Sequence, residues 1–165
     1  IFARFKEIGD KKKFVYDDDL LALVEGHITE VPETWSLDYV SVTTGTHAIP
    51  TAAVRLVKAG QKKSAKQEAL EDAGIGDGPV DAALKAIDRL TKTHGTLKDY
   101  NIRAVSQGKD ALGEVMVKVD FGDGELVTGK GASTDVIVAS AKAYLNAVNR
   151  YMSSESRKAM NKKQP

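Results

Sequence analysis

Cysteine is absent from the 165 residues. That excludes disulfides, a thiolate metal site and a cysteine nucleophile. No run approaches 18 consecutive apolar residues, so nothing reads as a membrane span. Neither sign of charge dominates: 24 Lys and Arg stand against 23 Asp and Glu, a formal net charge of +1. That balance argues against a dedicated nucleic-acid binder. Catalytic motifs are missing too. His27, His47 and His94 lie far apart, with no His-x-His or HExxH spacing to gather a metal. Ser41, Ser106, Ser133 and Ser140 have no identifiable base, and none sits in Gly-x-Ser-x-Gly. What is present is 42% hydrophobic content, too much for a disordered tail and suited to one domain with an appendage.

The chain opens on Ile1 without a basic-then-apolar leader, which argues against a secretory signal and, with no cysteine, favours the cytoplasm. It enters helical periodicity at once, as a piece cut from a longer chain would. Phe2, Phe5 and Ile8 share a helix face. Asp17-Asp18-Asp19 precede Leu20, Leu21, Leu23 and Val24; acidic residues before an apolar run mark a helix start more simply than a Mg²⁺ site. Two short helices in residues 1–31 bury too little to fold alone. The period then changes. Leu37 to Thr44 reads as a strand closed by Gly45, with Trp35 packing at its start, and residues 52–60 as a second. Residues 62–72 are ambiguous and favour a third strand. Gly74 to Gly78 reads as a loop. Pro79 suits a first helical turn, and Val80, Ala83, Leu84, Ile87 and Leu90 form one apolar face before Gly95.

The same order recurs. Tyr100 to Val105 and Val115 to Phe121 read as strands, Gly122-Asp123-Gly124 as a turn, and Glu125 to Gly129 as a further strand. A Gly-rich loop, Gly129-Lys130-Gly131, is expected next, with Ser133 or Thr134 capping a last helix whose apolar face is Ile137, Ala141, Tyr144, Leu145, Val148 and Met152. Residues 153–165 are polar and expected to fray. Gly76-Asp77-Gly78 and Gly129-Lys130-Gly131 each precede an Asp and an alanine-rich helix, with one extra residue in the second copy. The fold class is therefore α+β: two pseudo-symmetric β-β-β-α units over 35–152, with the Gly-x-Gly turns in equivalent places. Glycine lets a ligand approach the backbone, and a helix start offers free N–H groups to an anion. A tight turn with no ligand explains a single copy equally simply. Neither copy completes Gly-x-Gly-x-x-Gly, since Asp81 and Thr134 occupy the third place.

Several segments together resemble the 2-isopropylmalate synthase family. They are Gly76-Asp77-Gly78-Pro79-Val80-Asp81-Ala82, Lys109 to Val115, Ser133 to Ile137 and Ala139 to Ala147, with Phe5 to Lys13 and Tyr16 to Leu20 near the start. The resemblance covers nearly the whole chain in order. It implies a helical linker subdomain over 1–31, an allosteric, dimerising and leucine-sensing domain over 35–152, and a polar tail over 153–165. The family's catalytic barrel, with its divalent metal and its substrates acetyl-CoA and 2-oxoisovalerate, would lie upstream. This segment would then hold no cofactor and not be catalytic by itself. Its partners would be L-leucine, a second copy and that barrel, with neither nucleic acid nor membrane.

Carried over residue by residue, the resemblance assigns leucine contacts to Gly76, Gly78, Pro79, Val80 and Asp81 at the first helix start. It assigns Leu97, Tyr100 and Ala104 to a pocket wall, and Gly131, Ala132, Ser133, Thr134 and Asp135 to the second helix start. Backbone N–H groups would take the α-carboxylate, Asp81 or Asp135 the ammonium, and Val80, Leu97 and Ala104 the isobutyl group. The competing readings are an isoleucine-sensing citramalate synthase domain, a dimerisation module without ligand, and an independent enzyme. No convergent acid, base or nucleophile supports the last.

Overall fold

The structure is a computed structural model that describes residues 34–59, 68–104 and 111–163. The expected linker helices of 1–31 lie outside these residues. Six strands and two helices follow in the order β1 (Trp35–Gly45), β2 (Ala48–Lys58), β3 (Ala69–Ile75), α1 (Pro79–Thr91), β4 (Thr96–Ala104), β5 (Gly113–Asp120), β6 (Leu126–Ser133) and α2 (Val136–Lys162). Two antiparallel sheets result, β1-β2-β3 and β4-β5-β6. The expected pair of β-β-β-α units is present.

Alternation builds the core. Ala52, Val54 and Leu56 of β2 and Val115, Val117 and Val119 of β5 are buried, because every second side chain of a strand faces the helix layer. The edge strands put Val40 opposite Val54 and Tyr100 opposite Val117. Helix α1 covers β2 and β3, whereas α2 covers β5 and β6 and also reaches β1 of the other unit. Tyr144, Leu145 and Val148 of α2 join Leu84 and Ile87 of α1 in one cluster. Each buried side chain of this size contributes about 1.5–3 kcal/mol relative to exposure.

Several expectations need correction. Strand β3 begins at Ala69 and runs through Gly74 to Ile75, so Gly74 is strand, not loop; residues 60–67 lie outside the description. Gly129 and Gly131 likewise sit inside β6, not in a loop. Their smallness serves close packing. A Cβ on Gly131 would stand 2.5 Å from the Ala139 carbonyl and the Ala143 N, and one on Gly74 would stand 2.6 Å from the Ala82 carbonyl and 2.9 Å from the Ala86 N. Adding 57 takes Gly74 to Gly131, Ala82 to Ala139 and Ala86 to Ala143. The true repeat therefore pairs Gly74 with Gly131 and needs no extra residue, and Gly78 matches Asp135.

The edge strands repeat with a step of 60: the register shifts between Leu37 and Tyr39 in β1 and between Leu97 and Asp99 in β4. The cap of α2 is Asp135, whose carboxylate accepts from the Ile137 and Val138 N–H groups at 2.8 and 3.3 Å; Ser133 Oγ accepts from the Asp135 N–H instead. Residues 153–162, expected to fray, continue α2.

Candidate functional site

The two units interlock, so each helix faces the other unit's edge strand across a groove. The larger groove, about 820 Å³, lies between α1 and β4. Residues four apart on a helix stack on one face. Val80, Leu84 and Asp88 therefore form one wall, with Asp81, Lys85 and Arg89 beside them, and Leu97 and Tyr100 stand opposite. The volume suits a small molecule.

The helix start bordering this groove is open. Gly78 is the N-cap of α1 and supplies no side-chain hydrogen bond, and Pro79 occupies the first turn. Gly78 is extended, with φ −155°, and a Cβ there would meet nothing within 4 Å. Neither its conformation nor packing among the described residues requires glycine at this point. Gly76 differs: its missing Cβ makes room for the Asp81 and Ala82 backbone. Asp81 Oδ2 accepts from the Asp77 N–H at 2.9 Å and pairs with Lys85 at 3.0 Å. Burial pushes its carboxyl up, but the Asp77 N–H and Lys85 outweigh that and hold it below the ordinary carboxylate range.

The floor is polar and tightly bonded. Asp88 Oδ1 accepts from Tyr144 Oη at 2.6 Å and Thr93 Oγ1 at 3.0 Å, and Oδ2 accepts from the Gly95 N–H at 3.3 Å. Burial raises the Asp88 carboxyl above its usual range despite these donors. Burial, then the hydrogen bond to Asp88, pushes the Tyr144 phenol far up, so it stays protonated as a donor. Tyr100 Oη and Ser140 Oγ lie 2.5 Å apart, tying β4 to α2.

The structure gathers Val80, Asp81, Leu97 and Tyr100 in this groove, with Gly76, Gly78 and Pro79 at its helix start. Ala104 ends β4 as an exposed residue and does not line it. The second set is not brought there. Gly131 lines a different groove between β1 and α2, while Ala132 and Ser133 close β6 and Thr134 and Asp135 lead into α2. Sequence reasoning missed Asp88, Tyr144 and Gly95. The signal for Asp88 was available: a carboxylate interrupts the apolar face beside Ile87, four residues after Leu84. His94 is exposed in the α1–β4 connection and lines the groove. Among the described residues, no three His, Asp or Glu side chains converge as metal ligands would, and no helix is long and apolar enough to cross a membrane.

Comparison with known proteins adds the wider frame. The LeuA allosteric (dimerisation) domain family matches residues 14–152. The chain is 56% identical over 150 residues to a 2-isopropylmalate synthase of Methylacidiphilum infernorum, covering 91% of this chain and 28% of that protein. It is 52% identical over 151 residues to the enzyme of that name from Carboxydothermus hydrogenoformans, covering 92% and 28%. Against the one from Heliobacterium modesticaldum the values are 49% over 149 residues, 90% and 28%. The chain thus spans little more than a quarter of the length of these relatives.

Proposed function

Because the chain belongs to the LeuA allosteric (dimerisation) domain family, we propose that it is the leucine-sensing control segment of a 2-isopropylmalate synthase. In this reading the reaction of acetyl-CoA with 2-oxoisovalerate takes place in another part of the enzyme, and leucine bound here inhibits it. The observation that carries the reading is the groove between α1 and β4: apolar walls beside an uncapped helix start. The free N–H groups at the start of α1 hold the α-carboxylate, since a helix N-terminus carries partial positive charge. Gly78 lets that carboxylate come close. Val80, Leu84 and Leu97 enclose the isobutyl group. Asp81, kept ionised by its neighbours, holds the ammonium in preference to Asp135, whose carboxylate caps α2.

A second copy covers the open side. Ile75, Leu97 and Ile102 are 62%, 38% and 53% exposed, and Ile102 and Leu97 pair with Val115 and Val119 on the helix-facing side of their sheet. Such apolar exposure marks an interaction surface. Inhibition requires leucine to bind one conformational state better than another, and residues 1–31 are the proposed link to the catalytic part.

Calorimetric titration of the 165-residue chain with L-leucine, with L-isoleucine as comparator, tests this. Saturable heat with leucine, lost in Asp81→Asn, is expected. Stronger binding of isoleucine would shift the reading to a citramalate synthase domain. A clean dimer by sizing with no heat from either amino acid would leave a dimerisation module only.

A further inference from the structure

The groove between β1 and α2 is the pseudo-symmetric counterpart of the one just described. The step of 57 takes Gly74, Lys85 and Arg89 of the first groove to Gly131, Lys142 and Asn146 of the second, and the step of 60 takes Leu37 to Leu97. The second groove encloses about 390 Å³. Its chemistry has diverged in one direction. In the first groove Lys85 pairs with Asp81 at 3.0 Å and Arg89 with Asp72 at 3.2 Å. The counterparts of those two carboxylates are Val138 and Gly129. Lys142 has therefore kept the place of Lys85 and lost its acid. Lys130 also lines the groove, and among the described residues no carboxylate does. Neither lysine has an ion-pair partner among the described residues.

The walls are held in place. Asn149, 2% exposed, accepts from the Trp35 N–H at 3.1 Å and donates Nδ2 to the Trp35 carbonyl at 2.8 Å, clamping β1 to α2. Asn146 Oδ1 accepts from the Lys130 N–H at 3.1 Å, which fixes the carboxamide on the edge of β6 and leaves its NH₂ as a donor. Ser36 adds a hydroxyl. A fixed amide donor and a hydroxyl beside an ammonium without an ion-pair partner among the described residues favour an oxyanion.

We propose that this groove is a second ligand site, separate from the leucine groove, and that it takes the oxyanion group of a small metabolite, a phosphate or a carboxylate. Lys142 supplies the charge, and Asn146 Nδ2 and the Ser36 hydroxyl supply directed hydrogen bonds. The proposal does not depend on leucine binding in the other groove.

The test is a titration of the ¹⁵N-labelled chain with inorganic phosphate and, separately, with succinate, followed by NMR against sodium chloride at matched ionic strength. Saturable shifts at the Asn146 side-chain NH₂ and the Ser36 and Lys142 amides are expected with at least one probe, and the probe that saturates at lower concentration identifies the anion class. Lys142→Gln should weaken binding tenfold or more. Val138→Asp, which reinstates the acid that the first unit has, should do the same while keeping the fold, because an acidic residue is favourable in a first helical turn. Shifts no larger than those from chloride, or binding unchanged in both variants, would overturn the proposal.

Discussion

Position 78 is glycine and its counterpart, position 135, is aspartate. That difference sets how each helix start is capped. Asp135 satisfies two N–H groups of α2 with its own carboxylate, whereas α1 has no side-chain cap. The floors differ as well. Asp88, Tyr144 and Gly95 surround one end of the first groove. Their counterparts are Leu145, which lines the second groove, and Ile87 and Trp35, which pack in and against the core. Where the first groove has a hydrogen-bonded floor, the equivalent positions carry aliphatic and aromatic packing. The two units share the shift at Leu37/Tyr39 and Leu97/Asp99 and the helix-facing Gly74 and Gly131, while other side chains took different roles.

The largest expected effect breaks what the units share. Gly74→Ala and Gly131→Ala each drive a methyl group into helix backbone. Each should cost about 3 kcal/mol or more, the upper range for overpacking. Denaturant unfolding checks this, and a loss below about 1 kcal/mol in either would remove close approach as the reason for glycine there.

Breaking the polar floor should have an intermediate effect. Tyr144→Phe removes the donor to Asp88 and should cost about 1.5–3 kcal/mol at neutral pH, as for hydrogen bonds to charged groups. Because the folded chain raises the Asp88 carboxyl, it binds that proton more tightly than the unfolded chain does. The contribution of Asp88 to stability is therefore fully present below the ordinary carboxylate range and is lost as pH rises through its folded value. Asp81 has the opposite sign: its lowered value stabilises above the ordinary range and is lost as pH falls through the folded value. The cost of Tyr144→Phe should thus shrink in acid, where Asp88 is protonated. Unfolding curves at neutral pH and at a pH below the ordinary carboxylate range check it, and an equal cost at both would contradict the charged-acceptor account.

The smallest effect exchanges the helix starts. Asp135→Ala should destabilise by about 1 kcal/mol, a typical cap loss. Gly78→Asp should change stability by only a few tenths of a kcal/mol, since glycine is itself a tolerated cap, yet abolish the leucine heat by closing the helix start. Leucine affinity unchanged in Gly78→Asp would separate the ligand from that helix start.

Much of the architecture was legible because alternation and helical spacing are local. Val115, Val117 and Val119 announced β5, and Leu84 and Ile87 announced the buried face of α1. Gly129 and Gly131 misled, because glycine reads as a turn where only neighbours in sequence are considered. Their actual constraint is a helix backbone 8–18 residues further along the chain. The same blindness aligned the repeat on the wrong glycine pair and so set Gly78 opposite Gly131 instead of Asp135. Motif resemblance named Val80, Asp81, Leu97 and Tyr100, which the structure places around one groove. It could not find the Tyr144–Asp88 bond, which joins residues 56 apart.

The sequence by itself determined the order of elements and the duplication, since these follow from composition and short-range periodicity. Only the tertiary structure decided which helix faces which edge strand. That pairing crosses between units, so each groove is assembled from residues that no local pattern connects. It also decided which charges meet: Asp81 reaches Lys85 along one helix turn, and Val138 leaves Lys142 without an acid at the same place. The physical reason is that burial and ion pairing depend on distance in space, which a repeat in sequence copies only as far as its side chains remain the same.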